Sequence, residues 1–162
     1  MDVLEINGWK ICFHNCFLEQ IGQLAQIVTE LKASKPDEYQ RKKETKLLKA
    51  IGQVIEERIV ADPLHAQFRQ GSTLGNEYKH WFHAKFLQQF RLFYRCSAEH
   101  KMIVIGWVNG FDTLRAYGSK TDAYKVFTGM LNAGHPPDDW DELLREAKSA
   151  TAGSSISGFL AE

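Results

Sequence analysis

The sequence predicts a single α+β domain of order β-α-α-β-β-β-α-α, with an N-terminal helical hairpin on one face of an antiparallel sheet and helices at the C-terminus. Two observations carry that prediction. Apolar residues recur at steps of three and four before residue 60, change to alternation between residues 81 and 108, and return to helical spacing after residue 120. The chain has 162 residues, 44% of them hydrophobic, enough to bury a core without metal or disulfide help. No repeat or linker divides it, so residues 1–148 are expected to form one domain, with 149–162 a disordered tail, small and polar apart from Phe159 and Leu160.

Each element follows from its own signals. Trp9-Lys10-Ile11-Cys12-Phe13 alternates like a half-buried strand, and Asn15 is placed to cap the helix after it. Phe17, Ile21, Leu24, Val28 and Leu31 form that helix's apolar stripe. Ser34-Lys35-Pro36-Asp37 reads as the start of a second helix, buried through Leu47, Leu48, Ile51, Val54, Ile55 and Ile59. Turn formers from Gly71 to Asn76 then precede three strands, at Trp81–Phe86, Phe90–Arg95 and Met102–Val108. Alternation gives these strands one oily face and one face carrying Trp81, His83, Lys85, Arg91, Phe93 and Arg95. Ser119-Lys120-Thr121-Asp122 is the capping pattern for a helix with Ala123, Tyr124, Phe127, Met130 and Leu131, and a last helix runs from about Asp138 to Lys148.

Twenty Lys and Arg balance twenty Asp and Glu, which at first sight argues against a polyanionic partner. The balance is a cancellation. Residues 63–135 hold nine basic and four acidic side chains, against two and six after residue 135. A cationic sheet face with interleaved aromatics, Trp81, Phe93, Trp107, Tyr117 and Tyr124, suits RNA, whose bases stack on rings and whose phosphates meet Arg and Lys. Exposed sheet faces are also routinely polar, so composition leaves RNA binding and a plain solvated face open. Cys12, His14 and Cys16 lack a second ligand pair at zinc-finger spacing, so no metal or other cofactor is expected. No apolar run approaches a membrane span and no signal peptide is visible, which makes a cytoplasmic chain with reduced thiols the simplest expectation.

The residues also resemble a known family. Asn7-Gly8-Trp9, Tyr39-Gln40-Arg41-Lys42, Thr45-Lys46-Leu47-Leu48, Val54-Ile55-Glu56-Glu57, Phe90-Arg91-Leu92-Phe93-Tyr94-Arg95, Ile105-Gly106-Trp107, Asp112-Thr113-Leu114-Arg115, Tyr117-Gly118, Lys120-Thr121-Asp122-Ala123-Tyr124 and Gly134-His135-Pro136-Pro137 stand in one order over nearly the whole chain. They resemble the YhaV family of toxins, the toxin halves of type II toxin-antitoxin modules in the RelE-like superfamily. The resemblance implies a RelE-like fold and a metal-independent endoribonuclease that cleaves mRNA in association with the ribosome. It also implies neutralisation by a PrlF-like antitoxin with an AbrB-type DNA-binding part, so that operator DNA is met only through the antitoxin. The same superfamily fold carries toxins that poison gyrase without cutting RNA, and co-repression of the operon with the antitoxin is compatible with either activity.

Metal-free RNA cleavage needs a base for the attacking 2′-OH, cations around the phosphorane and a proton for the departing 5′-oxygen. Arg91 and Arg115 are the candidates for clamping the phosphate, because a guanidinium fork matches two phosphate oxygens. Lys85 is the candidate for electrostatic stabilisation and proton transfer, and His83, ordinarily near 6.5, for the group that titrates at neutral pH. Tyr124, with Tyr117 competing for the same role, is the candidate for a base or a stacking surface, provided cations lower its phenol from about 10. Arg95, Lys120, Tyr117, Lys79 and Trp81 complete the expected substrate-binding surface.

Overall fold

Asn7 and Gly8 set the first turn. Both lie at positive φ, 54° and 81°, the backbone of a two-residue hairpin turn for which Asn-Gly is the preferred pair. They join β1 (Leu4–Ile6) to β2 (Trp9–Phe13), so the described residues open with a hairpin rather than the single strand expected from residues 9–13. The structure, a computed structural model, describes residues 4–153.

Helix α1 (Asn15–Ser34) follows, and its cap is His14, not Asn15: the His14 ring nitrogen Nδ1 accepts from the Cys16 amide. The second helix also begins later than its Ser-x-x-Asp signal suggests. Residues 35–42 turn back through a short helical turn at Tyr39–Arg41, and α2 runs from Lys43 to Gln53 before loosening into a π-helical turn, Val54–Ile59. After an irregular stretch come β3 (Phe82–Phe86), β4 (Phe90–Ser97) and β5 (Met102–Val108), then α3 (Ala123–Asn132) and α4 (Trp140–Ala152).

The five strands form one sheet in the order β1-β2-β5-β4-β3. The α+β expectation holds, with one parallel pair, β2 beside β5, in an otherwise antiparallel sheet. One face carries Ile11, Phe13, Ala84, Leu92, Tyr94 and Ile105 and is closed by Phe17, Ile21, Leu47, Ile51 and Ile55 of the N-terminal helices, as the apolar stripes predict.

The other face corrects the sequence reading. It is not a solvated cationic surface but a second core, in which Trp81, Phe93, Val104 and Trp107 lie under Phe127 and Leu131 of α3 and Leu143 and Ala147 of α4. Phe127 is the centre of this layer: its ring stacks on Phe93 at 4.4 Å and Trp107 at 5.6 Å and meets the edge of Trp81 at 5.1 Å. Trp81, expected to stack on RNA, is fully buried, and its indole N–H donates to the Asp138 carboxylate at 2.9 Å. The register explains how so large a ring fits. Between Phe93↔Trp107 and Tyr94↔Ile105 the ladder slips, leaving Gly106 as the extra residue of a bulge, and a Cβ there would stand 2.7 Å from the Trp81 ring.

The domain also extends past the expected boundary at 148. Helix α4 continues through Ala152, and the buried Thr151 hydroxyl accepts from the Phe13 amide at 2.8 Å and donates to the Phe13 carbonyl at 3.2 Å, tying the C-terminus to β2. The remainder of the expected tail, 154–162, lies outside the described residues.

Candidate active site

The site forms where β3, β4 and the start of α3 meet. Strand alternation puts His83 and Arg91 on the α3 side of the sheet, and the pairing of β3 with β4 sets Lys85 directly opposite Arg91. Helix α3 brings Tyr124 in its first turn down onto that pair. The phenol oxygen lies 2.7 Å from His83 Nδ1 and 3.0 Å from Arg91 Nε. All three residues are nearly enclosed, at 5%, 8% and 4% exposure for His83, Arg91 and Tyr124, which marks a built cluster rather than chance neighbours on a surface.

Donor and acceptor chemistry fixes the direction of the Arg91 bond and sets the terms for the other. Arg91 Nε can only donate, so the Tyr124 oxygen accepts there and keeps its own hydrogen to offer to His83 Nδ1. In the tautomer that carries its proton on Nε2, His83 is the acceptor of that hydrogen at Nδ1. Burial, with help from the Lys85 and Arg91 charges, lowers His83 from 6.5 to about 4. It is neutral at neutral pH, which corrects the expectation that it titrates there. Tyr124 is corrected in the same way: burial pushes its phenol above the ordinary value, and Arg91 and Arg115 offset that only in part. The cluster is thus a neutral imidazole, a protonated phenol and a cation, poised rather than ionised.

Arg91 is held at every point but one. Its Nη1 donates to the Gln88 and Phe90 carbonyls, both at 2.9 Å, and its amide donates to Asn109 Oδ1 at 2.8 Å. Its Nη2 has no hydrogen bond to the other described residues, so this nitrogen is the one left for a substrate anion. Asn109 in turn donates to the Gln89 and Thr113 carbonyls, which fastens the loop after β5 to the β3–β4 turn.

Arg115 reaches the site from that loop. Its guanidinium lies 4.7 Å from the Tyr124 ring centre and 3.9 Å from that of Tyr117, and Nη1 donates to Asp122 at 2.7 Å. Asp122, expected only as part of a capping pattern, is the residue that holds Arg115 in place. Its carboxylate accepts from Arg115 and the Ala116 amide through one oxygen and from the Tyr124 and Lys125 amides through the other. Burial alone would raise this carboxyl, but those bonds outweigh it and hold the group below its ordinary value. The capping pattern at 119–122 foretold a helix start; that the cap is Asp122 itself, shared with Arg115, depends on a loop no spacing rule describes.

The remaining expected residues divide. Tyr117 is 91% exposed and backed by Arg115, whereas Tyr124 is the enclosed member of the cluster. Lys85, Lys79 and Lys120 are exposed. Arg95 turns away: it lies between the Trp81 and Trp140 rings, at 5.5 Å from each, and donates to the Asp138 carbonyl at 2.8 Å. That engagement leaves it a packing role in place of the expected RNA contact. Among the described residues no group of three or more His, Cys, Asp or Glu side chains comes together as a metal site, and no helix is long and apolar enough to cross a membrane.

Neutral His83 gives a stability signature. Between about 6.5 and about 4 the native state binds fewer protons than the unfolded chain, so its contribution is complete above 6.5 and is lost as the pH falls through that window. The expected loss from pH 7 to pH 5 is about 2 kcal/mol, and it should be absent in His83→Gln. Urea unfolding of both proteins at the two pH values measures it. Equal losses would show that His83 is not held neutral.

The buried cluster of His83, Tyr124 and Arg91, with Arg115 and Lys85 at its rim, is an arrangement of cations and a phenol that can hold an anionic group. Comparison with known proteins gives the family. The model of the Toxin_YhaV family, described as a toxin with endonuclease activity of a toxin-antitoxin system, matches residues 11–148. The chain is 47% identical over 145 residues to the ribonuclease toxin YhaV of Escherichia coli strain K12, covering 88% of this chain and 94% of that one. It is 46% identical over 147 residues to toxin YhaV of Escherichia coli O6:H1, covering 90% and 96%. Among solved structures, the RelBE2 toxin-antitoxin complex of Mycobacterium tuberculosis is similar to this chain with a TM-score of 0.41 and 21% identity, over 67% of this chain and 95% of that chain. The chain belongs to the YhaV toxin family: it is the toxin of a toxin-antitoxin system, with endonuclease activity, and an antitoxin is its partner.

Proposed function

We propose that the protein is a metal-independent ribonuclease that cleaves mRNA by acid–base catalysis at the His83–Tyr124–Arg91 cluster. The observation that carries this reading is the enclosed hydrogen-bonded chain from Arg91 Nε through the Tyr124 phenol to His83 Nδ1. The relatives' name, ribonuclease toxin, supports RNA as the substrate. The attacking 2′-OH gives its proton to the Tyr124 oxygen as Tyr124 passes its own to His83 Nδ1. The 2′-oxygen bonds to phosphorus, the bond to the 5′-oxygen breaks, and the Lys85 ammonium protonates that leaving oxygen. The products are a 2′,3′-cyclic phosphate and a 5′-hydroxyl, and solvent returns the proton from His83 to Lys85.

An arriving phosphate makes this relay work. With no anion bound, Lys85 and Arg91 disfavour a charged His83; a phosphate on Arg91 Nη2 offsets those cations and raises the imidazole's basicity at the moment it is needed. Arg115, shared between Asp122 and two rings, adds positive charge at the rim. A site this enclosed favours a substrate delivered in an extended, unpaired form, which supports cleavage on the ribosome in the cytoplasm. A PrlF-like antitoxin that covers Arg91 and Lys85 neutralises the toxin, and operator DNA is met only through it. Arg91→Ala should lower the cleavage rate at least about a hundredfold and Lys85→Ala about tenfold. Primer extension on mRNA from translating ribosomes and on free mRNA reads both; wild-type rates in folded variants would remove this site.

A further inference from the structure

Beside the acid–base cluster lies an open groove of about 630 Å³, running between the turn at Leu74 and helix α3 and ending against Arg115, Tyr117 and Tyr124. We infer that this groove seats one unpaired nucleotide next to the cleaved bond, with Tyr117 as its stacking surface and Gly129 as the gap that admits it. The inference rests on the RNA reading above and adds to it a base-binding subsite.

Two independent features point to a ligand. The first is the state of Tyr117. A tyrosine 91% exposed is an unusual use of a large ring, and this one is not loose: the Arg115 guanidinium covers one of its faces at 3.9 Å and is itself fastened to the buried Asp122. Tyr124, Arg115 and Tyr117 thus form a stack anchored in the protein at one end and open at the other. A base adding to the open ring continues the series. The second feature is Gly129. It sits inside α3, where glycine weakens a helix relative to alanine, yet a Cβ there would meet nothing within 4 Å. Packing therefore gives no reason for a glycine. Its place on the groove wall does, since a side chain there would occupy the space a ligand needs.

The groove's chemistry fits a nucleotide. Thr128 and Asn132 are neutral groups suited to a base edge, and Lys125 is an exposed cation suited to one flanking phosphate. A face built for an acidic protein segment would be expected to present several free cations, whereas Arg115 here is already paired with Asp122.

The test uses the full chain and a short single-stranded oligoribonucleotide methylated at every 2′-oxygen, which binds without being cut, together with cleavage of mRNA on translating ribosomes. Tyr117→Ala and Gly129→Leu should each weaken binding and lower kcat/KM on ribosomes about tenfold, while Tyr117→Phe recovers most of the loss by restoring the ring. Thermal unfolding of Gly129→Leu should match or exceed wild type, separating a blocked groove from a damaged fold. An abasic residue scanned along the oligonucleotide should cost wild type about the same factor at one position and cost Tyr117→Ala nothing further there. Wild-type binding and cleavage in folded Tyr117→Ala and Gly129→Leu would overturn the subsite, as would a loss confined to antitoxin binding. Should the wild-type chain itself neither bind nor cut RNA, the RNA reading fails and the subsite with it, a result distinct from those two.

Discussion

Tyr124→Phe is expected to slow RNA cleavage at least about a hundredfold while leaving the domain folded. The substitution removes one oxygen and keeps the ring, which remains packed edge-on against Phe93 at 5.4 Å. What disappears is the one atom among the described residues in hydrogen-bond contact with both His83 and Arg91. In the proposed relay the 2′-OH proton then has no path to the imidazole, and Arg91 Nε loses the acceptor that orients the guanidinium. Leaving those two buried groups unpaired should cost about 1–3 kcal/mol of stability, small enough to separate from the rate effect. Single-turnover cleavage and urea unfolding measure the two quantities. A variant that cuts at the wild-type rate would mean the phenol is a packing group, and the base must be sought elsewhere.

Phe127→Ala should remove about 3–5 kcal/mol, the largest stability loss expected of any substitution on the α3 side of the sheet. Phe127 is fully buried and touches Trp81, Phe93 and Trp107 at once, so truncating it opens a cavity that three large rigid rings cannot collapse to fill. Activity should fall as well, because Tyr124 lies one turn earlier on the same helix and is held in place by that packing. Chemical denaturation gives the magnitude. A loss under about 1 kcal/mol would show that α3 does not close this face of the sheet.

That face is also where reading the sequence and reading the structure part company. The periodicities located α1, α3, α4, β2 and the three consecutive strands β3 to β5, because each has a pattern of its own. They did not reveal that Phe93 and Trp107, interleaved with Arg91, Arg95 and His83, belong to a second core. Alternation says which residues share a face but not whether a later helix covers it. The apolar stripe of Tyr124, Phe127 and Leu131 needed a partner surface, and the aromatic members of the supposedly cationic face were that partner. Burial then reversed the electrostatics: His83 became neutral and Tyr124 harder to ionise, which residue types alone do not disclose. Arg91, Arg115, His83 and Tyr124 were nonetheless all nameable from the sequence and are brought together in the fold. Asp122 was visible only as part of a capping pattern, since its link to Arg115 depends on the irregular loop between β5 and α3. The opening hairpin is signalled by Asn7-Gly8, but β1, only three residues long, has no periodicity of its own to mark it.

The tie between Phe13 and Thr151 bears on how the toxin comes into being. Strand β2 is made early, but its parallel neighbour β5 is synthesised some ninety residues later, and the hydroxyl that grips its last residue is 138 positions away. The sheet therefore cannot close until β5 has been made, and Tyr124 is not enclosed until α3 follows it. Truncated chains lacking α4 lose the Thr151 tie and the cover that Leu143 and Ala147 give the sheet, and should be inert in a cleavage assay.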